Sequence, residues 1–341
     1  MAIQKRLHEM DLAKRVIMGE CWARDGLQNE ALIVPTAEKI EMITGMVDAG
    51  FTKIEATNFS HPKILPQFAD AEEVLANIPR RAGVHYRGIC TNIKGVERAI
   101  ASKEAGFGVD EIAMVISASE THNKANVNMG LSDNMALLDQ MTRLAIDSGH
   151  EVFGWALTSF GCPIAGDVPL ADVAKIGHWW NDLGATYIGF GDTTGVANPM
   201  QVSRFYDYML ADGFTTEQVV VHFHDTRGWG LANSLEALTF GFTHFDSSLG
   251  AIGGQPKTGA QDYHMGFSGN TCTEDLVGVF EEMGIATGID LPRMLELGKR
   301  AEEILGRPLR SNLLRAGLVP HTGIHWDKRF GILDEPIDAP L

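Results

Sequence analysis

Residues 219–233 read VVVHFHDTRGWGLAN, a stretch that combines a buried strand with two histidines at its end. Valines and a phenylalanine surround His222 and His224, as in a strand that is covered on both faces. Side chains alternate along a strand, so the two histidines project to the same side. Such a pair suits a metal ion, although taken alone it is equally compatible with one core histidine and one solvated histidine.

The same order, a short apolar run followed by a longer amphipathic run, occurs eight times along the chain. The predicted strands cover residues 16–21, 51–57, 84–90, 111–117, 151–157, 186–190, 219–224 and 244–249. The predicted helices cover residues 36–49, 66–76, 94–105, 132–148, 170–183, 199–211, 230–240 and 273–283. Eight strand–helix units in a row predict an α/β fold of the closed (β/α)₈ type, a TIM barrel.

An open, doubly wound sheet is the alternative to the barrel. It would normally carry a glycine-rich phosphate turn after its first strand, and CWARDGLQNE at residues 21–30 is not such a turn. Further helices are predicted at residues 291–305 and 311–318, followed by a tail rich in proline and acid. We therefore predict a catalytic barrel at residues 1–290 and a helical extension at residues 291–341, packed on the barrel or on a neighbouring subunit.

Composition excludes several classes of partner. The 341 residues carry a net charge of −16, which argues against nucleic acid or an anionic membrane as the main partner. The four cysteines are scattered, so neither a disulfide framework nor a zinc ribbon is indicated, and a reducing, cytoplasmic location is expected. The first fifteen residues, MAIQKRLHEMDLAKR, lack the apolar core of a signal peptide, so none is expected. No apolar run approaches 18 residues, so no membrane span is expected.

Polar residues follow almost every predicted strand. In a TIM barrel the active site lies at the carboxyl ends of the strands, so these residues are its candidates. They are Arg24, Asp25, Glu55, Thr57, Asn58, Ser117, Glu120, Thr158, Ser159, Asp192, His222, His224, Asp246, Ser247 and Ser248.

Asp25, His222 and His224 would bring one carboxylate oxygen and two imidazole nitrogens to a metal, and Asn270 can add an amide oxygen. This mixed set suits Mg²⁺, Mn²⁺ or another divalent first-row ion better than calcium or structural zinc. Arg24 would place a fixed positive charge beside the metal, where it can stabilise an enolate oxygen. A surface ion pair or turn is the plainer interpretation of the Arg24–Asp25 dipeptide alone.

Several motifs resemble those of the 3-hydroxy-3-methylglutaryl-CoA lyase family. They are RDGLQNE at 24–30, EATNFSHPKILPQFAD at 55–70, GCP at 161–163, GDTTG at 191–195, HFHDTRGWGLAN at 222–233 and SGNTCTEDL at 268–276. They occur in order, and the resemblance covers residues 16–291. It implies a metal-dependent TIM-barrel lyase of the DRE-TIM metallolyase group, which also contains isopropylmalate and homocitrate synthases.

The resemblance also implies roles for individual residues. Asp25, His222, His224 and Asn270 would hold the metal, and Arg24 would stabilise the enolate. Gln28, Glu55 and Asp192 would support the site, and we expect Thr158, Gln255 and Tyr263 to face the substrate. A homodimer and an acyl-CoA substrate are further expectations from the resemblance.

One departure from the family falls in the loop after the eighth strand. The family has Gly-Gly-Cys-Pro there, with a cysteine that carries a proton, whereas this chain has Gln255 at that position. An amide does not titrate and cannot replace a thiol in acid–base catalysis. The loop is also longer and contains Lys257, Asp262, Tyr263 and His264, of which His264 has the most suitable unperturbed pKa. Cys272 is a second candidate thiol, although a small residue packed at a helix start is its plainer interpretation.

Three functions remain open at this point. The first is a lyase that cleaves a carbon–carbon bond of a 3-hydroxyacyl-CoA related to hydroxymethylglutaryl-CoA, the EC 4.1.3 type of reaction. The second is a condensing synthase or an aldolase that acts on a free hydroxy or keto acid. The third is a metal-binding paralogue with impaired catalysis. The motifs around Asp25 and His222 resemble the lyases more than the synthases, so the lyase ranks first.

Overall fold

A computed structural model of the protein describes residue 10, residues 12–255 and residues 268–320, together with the backbone of residues 257–258 and 261–262. His264, the candidate for the missing proton carrier, and Tyr263, expected to face the substrate, lie outside the described residues. So does the acid-rich tail after residue 320.

Eight parallel strands form one closed barrel in sequence order, and β8 pairs with β1 to complete it. This confirms the predicted TIM barrel. The strands are β1 (Ile17–Glu20), β2 (Lys53–Asn58), β3 (His85–Ile89), β4 (Glu111–Ser117), β5 (Glu151–Leu157), β6 (Tyr187–Asp192), β7 (Val219–Phe223) and β8 (His244–Ser247). Two short strands beyond the barrel, β9 (Lys257–Thr258) and β10 (Gln261–Asp262), pair with each other.

Helices cover the outside of the barrel. They are α1 (Thr36–Asp48), α2 (Ala71–Asn77), α3 (Ile93–Glu104), α4 (Glu120–Val127), α5 (Leu131–Asp147), α6 (Leu170–Asp182), α7 (Pro199–Ala211), α8 (Gly230–Thr239), α9 (Thr273–Glu282), α10 (Leu291–Leu305) and α11 (Asn312–Ala316). Within the described part of the chain, no helix is both long enough and apolar enough to cross a bilayer.

Most predicted elements agree with the structure to within two residues, and the exceptions lie near the strand ends. The predicted helix 66–76 is a 3₁₀ turn (Pro66–Phe68) followed by α2, and the helix predicted at 311–318 is only α11. Helix α4 was not predicted, because ETHNKANV lacks an apolar stripe. A π-helical turn (Trp22–Gly26) directly after β1 was also not predicted.

The helices after the barrel pack on it rather than standing apart. Leu297 of α10 contacts Gly45 of α1, and Arg300 forms an ion pair with Glu41 in which Nε and Oε1 are 2.8 Å apart. Leu313 of α11 lies against Gly278 of α9. The division into a barrel and a helical extension remains a prediction, as does contact of the extension with a neighbouring subunit.

The interface between β5 and α6 provides a test of packing. A Cβ on Gly154 would overlap the indole ring of Trp180, which is fully buried and cannot move aside. We expect Gly154→Ala to lower the free energy of unfolding by about 1–3 kcal/mol, the usual cost of overpacking a core. Gly191→Ala is the matched control, because its Cβ would make only ordinary contacts, starting at 3.5 Å from Leu157. Urea unfolding curves measure both, and equal midpoints would contradict the prediction.

Candidate active site

The π-helical turn after β1 carries Arg24 and Asp25 into the mouth of the barrel, the opening at the carboxyl ends of the strands. The backbone N–H of Trp22, the first residue of the turn, donates to Oε1 of Glu20 at 2.8 Å. Gly26 passes so close to Ile252 that a side chain there would clash. Single π turns are rare and occur frequently at functional sites. Here the turn buries the full dipeptide instead of leaving it as a surface ion pair.

His222 and His224 lie at the end of β7, and their side chains meet at the mouth. Their Nε2 atoms are 3.0 Å apart, and both rings are buried. Nδ1 of His224 is 2.7 Å from the backbone oxygen of Thr193, which fixes the orientation of that ring. Two imidazoles held this close, with nitrogens facing each other, are suited to be two of the ligands of a metal ion.

Asp25 and Asn270 complete the group. Nδ2 of Asn270 donates to Oδ2 of Asp25 at 2.5 Å and to the backbone oxygen of Ile252 at 2.9 Å. Oδ2 of Asp25 also lies 3.8 Å from Nε2 of His224. Oδ1 of Asn270 is buried and has no partner among the described residues, so it is available to a ligand.

The donor set fits a divalent cation. Ligand atoms of Asp25, His222 and His224 all lie within 4.8 Å of one another. Burial, together with the charge on His222, lowers the pKa of His224 to about 4, so this imidazole is neutral at pH 7. Burial opposes ionisation of Asp25, but Arg24 and the two histidines hold its pKa well below the usual range. An ionised carboxylate and a neutral imidazole are the protonation states that a metal requires of such ligands.

Arg24 is buried and is held by three side chains. Its Nη2 donates to Oε2 of Glu55 at 2.8 Å, and its Nη1 donates to Oδ1 of Asp25 at 2.9 Å and to Oε1 of Gln28 at 3.4 Å. Burial disfavours the charge, yet Glu55 and Asp25 raise the pKa of Arg24 above its ordinary value. The guanidinium is therefore a permanent positive charge in a fixed position beside the proposed metal ligands.

Asp192 supports the site indirectly. It ends β6, and its carboxylate accepts from the backbone N–H groups of Val196 and Ala197, with Oδ1 at 2.8 and 3.2 Å. Burial raises the pKa of Asp192 to about 7. The carboxylate thus fastens the loop whose Thr193 oxygen orients His224.

Thr158 occupies a different place from the one we expected. It is fully buried with φ +59°, its backbone N–H donates to Oγ1 of Thr193 at 2.7 Å, and its hydroxyl donates to the oxygen of Leu157 at 2.6 Å. The strained turn at Thr158 directs the threonine hydroxyl to the backbone. The neighbouring Leu157 lines the mouth instead.

A cavity of about 550 Å³ opens to solvent from the proposed metal ligands Asp25, His222, His224 and Asn270, which we call the metal-binding group. Gln255 lies on its rim, and its Nε2 donates to Oδ1 of Asn126 on α4 at 3.3 Å. Cys272, the other candidate thiol, is buried at the start of α9 and donates to Oε2 of Glu274 at 3.0 Å. Burial and Glu274 raise the pKa of Cys272 well above its ordinary value, so it is a poor proton carrier.

Two residues that the sequence interpretation missed lie directly beneath the mouth. Arg87 of β3 donates from Nη1 to Oδ2 of Asp246 at 2.8 Å, and Asp246 lies 3.8 Å from Nδ1 of His222. Trp155 of β5 approaches His222 edge-on, with ring centroids 5.0 Å apart. The sequence feature that could have identified Arg87 is its place at an inward-facing position in the middle of a buried strand.

Comparison with known proteins shows which family contains this arrangement. The HMGL-like family model matches residues 15–300. The chain belongs to the HMGL-like family. It is 39% identical over 306 residues to hydroxymethylglutaryl-CoA lyase YngG of Bacillus subtilis, covering 90% of this chain and 98% of that protein. It is 36% identical over 305 residues to the human mitochondrial hydroxymethylglutaryl-CoA lyase, covering 89% and 90%.

Solved structures of HMGL-like proteins have the same fold. The Bacillus subtilis HMG-CoA lyase superposes with a TM-score of 0.84 at 38% identity, covering 90% of this chain and 99% of that one. An HMG-CoA lyase from Acinetobacter baumannii in complex with coenzyme A and 3-methylmalate superposes with a TM-score of 0.82 at 38% identity, covering 92% and 97%. The predicted family and enzyme class, a carbon–carbon lyase of the hydroxymethylglutaryl-CoA lyase type, are confirmed, as is dependence on a divalent metal.

The ligand assignment generates a prediction about metal affinity. Asp25→Asn keeps the size of the side chain but removes the negative charge. Loss of a residue that only contacts a metal ligand typically weakens metal binding by roughly 10–100-fold, and we expect Asp25→Asn to weaken Mn²⁺ binding by more than this. Asp110→Asn is the control, since Oδ2 of Asp110 accepts from the N–H of Tyr86 at the opposite end of the barrel. Calorimetric titration with Mn²⁺ measures both variants. Wild-type affinity in Asp25→Asn would remove Asp25 from the ligand set.

Proposed function

We propose that the protein cleaves the bond between C2 and C3 of a 3-hydroxyacyl-CoA with Mg²⁺ or Mn²⁺ held by Asp25, His222, His224 and Asn270. The observation that carries the proposal is the convergence of two imidazoles, a carboxylate and an amide at the barrel mouth, directly beside a buried arginine. A divalent ion bound there would act as a Lewis acid on the substrate oxygens.

The reaction needs no oxidant. The hydroxyl on C3 loses its proton and becomes a carbonyl, the C2–C3 bond breaks, and its electron pair forms the enolate of the acetyl thioester. The enolate then takes a proton at C2. The guanidinium of Arg24 stabilises the negative charge of the enolate, because Glu55 and Asp25 hold the guanidinium in position before that charge develops.

The proton for C2 needs a source other than residue 255. Gln255 lies on the cavity rim and has no titrating group. We propose that His264 or Tyr263, from the longer loop that follows it, provides the proton.

Further features of the proposal rest on the relatives. The Acinetobacter relative was solved with coenzyme A, which supports coenzyme A as the carrier of the acyl group here. We also propose a homodimer in the cytoplasm. The division into a barrel and a C-terminal helical unit belongs to the same proposal.

Turnover of a panel of 3-hydroxyacyl-CoA thioesters with Mg²⁺ or Mn²⁺ tests the proposed function, and Arg24→Lys tests its mechanism. Lysine keeps the charge but cannot span Glu55, Asp25 and Gln28 together, so kcat should fall by about 10²–10³-fold. Affinity for Mn²⁺ should stay within about threefold of wild type, because Arg24 is not a ligand.

Arg143→Lys is the control. Arg143 forms an exposed ion pair with Asp139 on α5, so its replacement by lysine should leave full activity. An active Arg24→Lys variant would remove the arginine from the mechanism. Turnover of free hydroxy acids alone would favour an aldolase, and metal binding without turnover of either class would favour the binding paralogue.

The role of residue 255 generates a separate prediction. Gln255→Cys should raise kcat for hydroxymethylglutaryl-CoA by at least about tenfold, since general acid–base groups are typically worth about 10²–10⁴-fold. Gln255→Ser is the control, because it removes the amide without adding a thiol. Efficient cleavage of hydroxymethylglutaryl-CoA by the wild type, with no gain in Gln255→Cys, would show that this position does not limit proton transfer.

A further inference from the structure

The barrel mouth has two chemically different halves. The strand ends of β7, β8, β1 and β2 contribute the metal-binding group, Asp246, Arg24 and Glu55. The residues that follow β3 and β4 add the uncharged polar side chains of Thr91, Asn92 and Asn126 to the cavity. The inward-facing residues of β3, β4 and β5 themselves add carbon surface. We call this surface the apolar wall, and it consists of Ile89, Val115, Trp155 and Leu157.

Trp155 joins the apolar wall to the metal side. Its ring stacks on Phe153 with centroids 4.6 Å apart and meets His222 edge-on. Gly189 on the adjacent strand makes room for it, because a Cβ there would overlap the indole ring. The indole Nε1 is covered by protein, so Trp155 presents ring carbons rather than its N–H to the cavity.

Space remains in front of the apolar wall. Val115 and Leu157 are only partly buried, although they point into the barrel. Gly191 of β6 lines the same part of the cavity and lacks a side chain that would fill it. Apolar side chains left partly uncovered in a concave site are suited to covering by an apolar ligand group.

Positive charge is scarce on this side of the cavity. Of the described residues that line it, Arg24 alone is a lysine or an arginine, and it already pairs with Asp25 and Glu55. Arg87 lies beneath, covered by the Phe153 ring and paired with Glu111 and Asp246. A carboxylate placed against the apolar wall would lose its hydration without gaining a cation from the described residues, which is costly.

We propose that the acyl group carries an uncharged apolar substituent, larger than methyl, on C3, and that this substituent packs against the apolar wall. This rests on the proposed function for its thioester and its reaction. Cleavage would give acetyl-CoA and an aldehyde or ketone that retains the apolar substituent. One proton leaves the C3 hydroxyl and one proton is added at C2, while the electron pair of the C2–C3 bond stays with C2, so atoms and electrons balance.

Binding of two non-cleavable thioesters of matched length tests the proposal without turnover. Hexanoyl-CoA ends in carbon and glutaryl-CoA ends in a carboxylate, and neither has a 3-hydroxyl group. Because each methylene transferred onto an apolar surface strengthens binding about fourfold, hexanoyl-CoA should bind the Mn²⁺-loaded protein at least about tenfold more tightly. Equal or tighter binding of glutaryl-CoA would overturn the proposal, whichever part of the chain supplied the cation.

Leu157→Arg tests the location. A cation at this position should shift the ratio of the two dissociation constants towards glutaryl-CoA by at least about tenfold. Leu157→Met conserves volume and should leave the ratio within about threefold. Leu144→Arg adds the same charge on the exposed surface of α5 and should also leave it unchanged. An unchanged ratio in folded Leu157→Arg would overturn the assignment to the apolar wall.

The two proposals fail separately. A preference for hexanoyl-CoA without turnover of any 3-hydroxyacyl-CoA would leave the apolar wall standing and reject the lyase function. Turnover that is fastest with hydroxymethylglutaryl-CoA, with tighter binding of glutaryl-CoA, would reject the apolar wall and keep the lyase.

Discussion

Arg87 carries a positive charge inside the barrel, directly beneath the site, and the rest of the mouth is arranged around its pairing. Its Nη1 donates to Asp246 at 2.8 Å, its Nε donates to Glu111 at 3.2 Å, and its guanidinium lies 4.1 Å from the centroid of the Phe153 ring. Although burial disfavours the charge, Asp246 and Glu111 raise the pKa of Arg87 above its ordinary value. An unpaired charge here would cost several kcal/mol, so the pairing is obligatory.

This pairing couples the scaffold to the metal site. Asp246 crosses from Arg87 on β3 to His222 on β7, so the same carboxylate that neutralises the arginine also lies beside a proposed ligand. Outer carboxylates of this kind orient metal-binding histidines and tune their affinity. Gly19 on β1 is part of the arrangement, because a Cβ there would overlap the Asp246 carboxylate.

The barrel and the convergence of Asp25, His222 and His224 at its mouth were predictable from sequence because each has a local signature. Apolar runs alternate with amphipathic helices, and Asp25, His222 and His224 lie at or shortly after the ends of strands, where parallel strand ends must meet. Arg87 and Trp155 have no such signature. The position of Trp155 depends on Gly189 of the neighbouring strand, and that pairing is a property of the register between strands rather than of any one segment.

Helix α4 and the π turn were not predicted for a related reason. The α4 sequence buries little apolar surface, and its first turn is instead capped by Ser119, whose side chain accepts from the N–H of His122. Its Asn126 accepts from Gln255 across the cavity. The helix is therefore held by capping and by polar contacts at the mouth, neither of which produces a hydrophobic period.

Three unsatisfied polar atoms at the mouth are available to a ligand, although others, such as Oη of Tyr206 and Nε2 of His150, lie elsewhere in the barrel. Nε of Arg24, Oε1 of Glu55 and Oδ1 of Asn270 are buried without partners among the described residues. Each such atom typically costs about 1–3 kcal/mol, and that cost brings no benefit to a purely structural barrel. The apolar wall differs from this polar part of the mouth, because its uncovered atoms are carbon rather than nitrogen or oxygen. A substrate with an oxygen-rich end and an apolar substituent would satisfy both halves together, and this favours an altered substrate over lost catalysis.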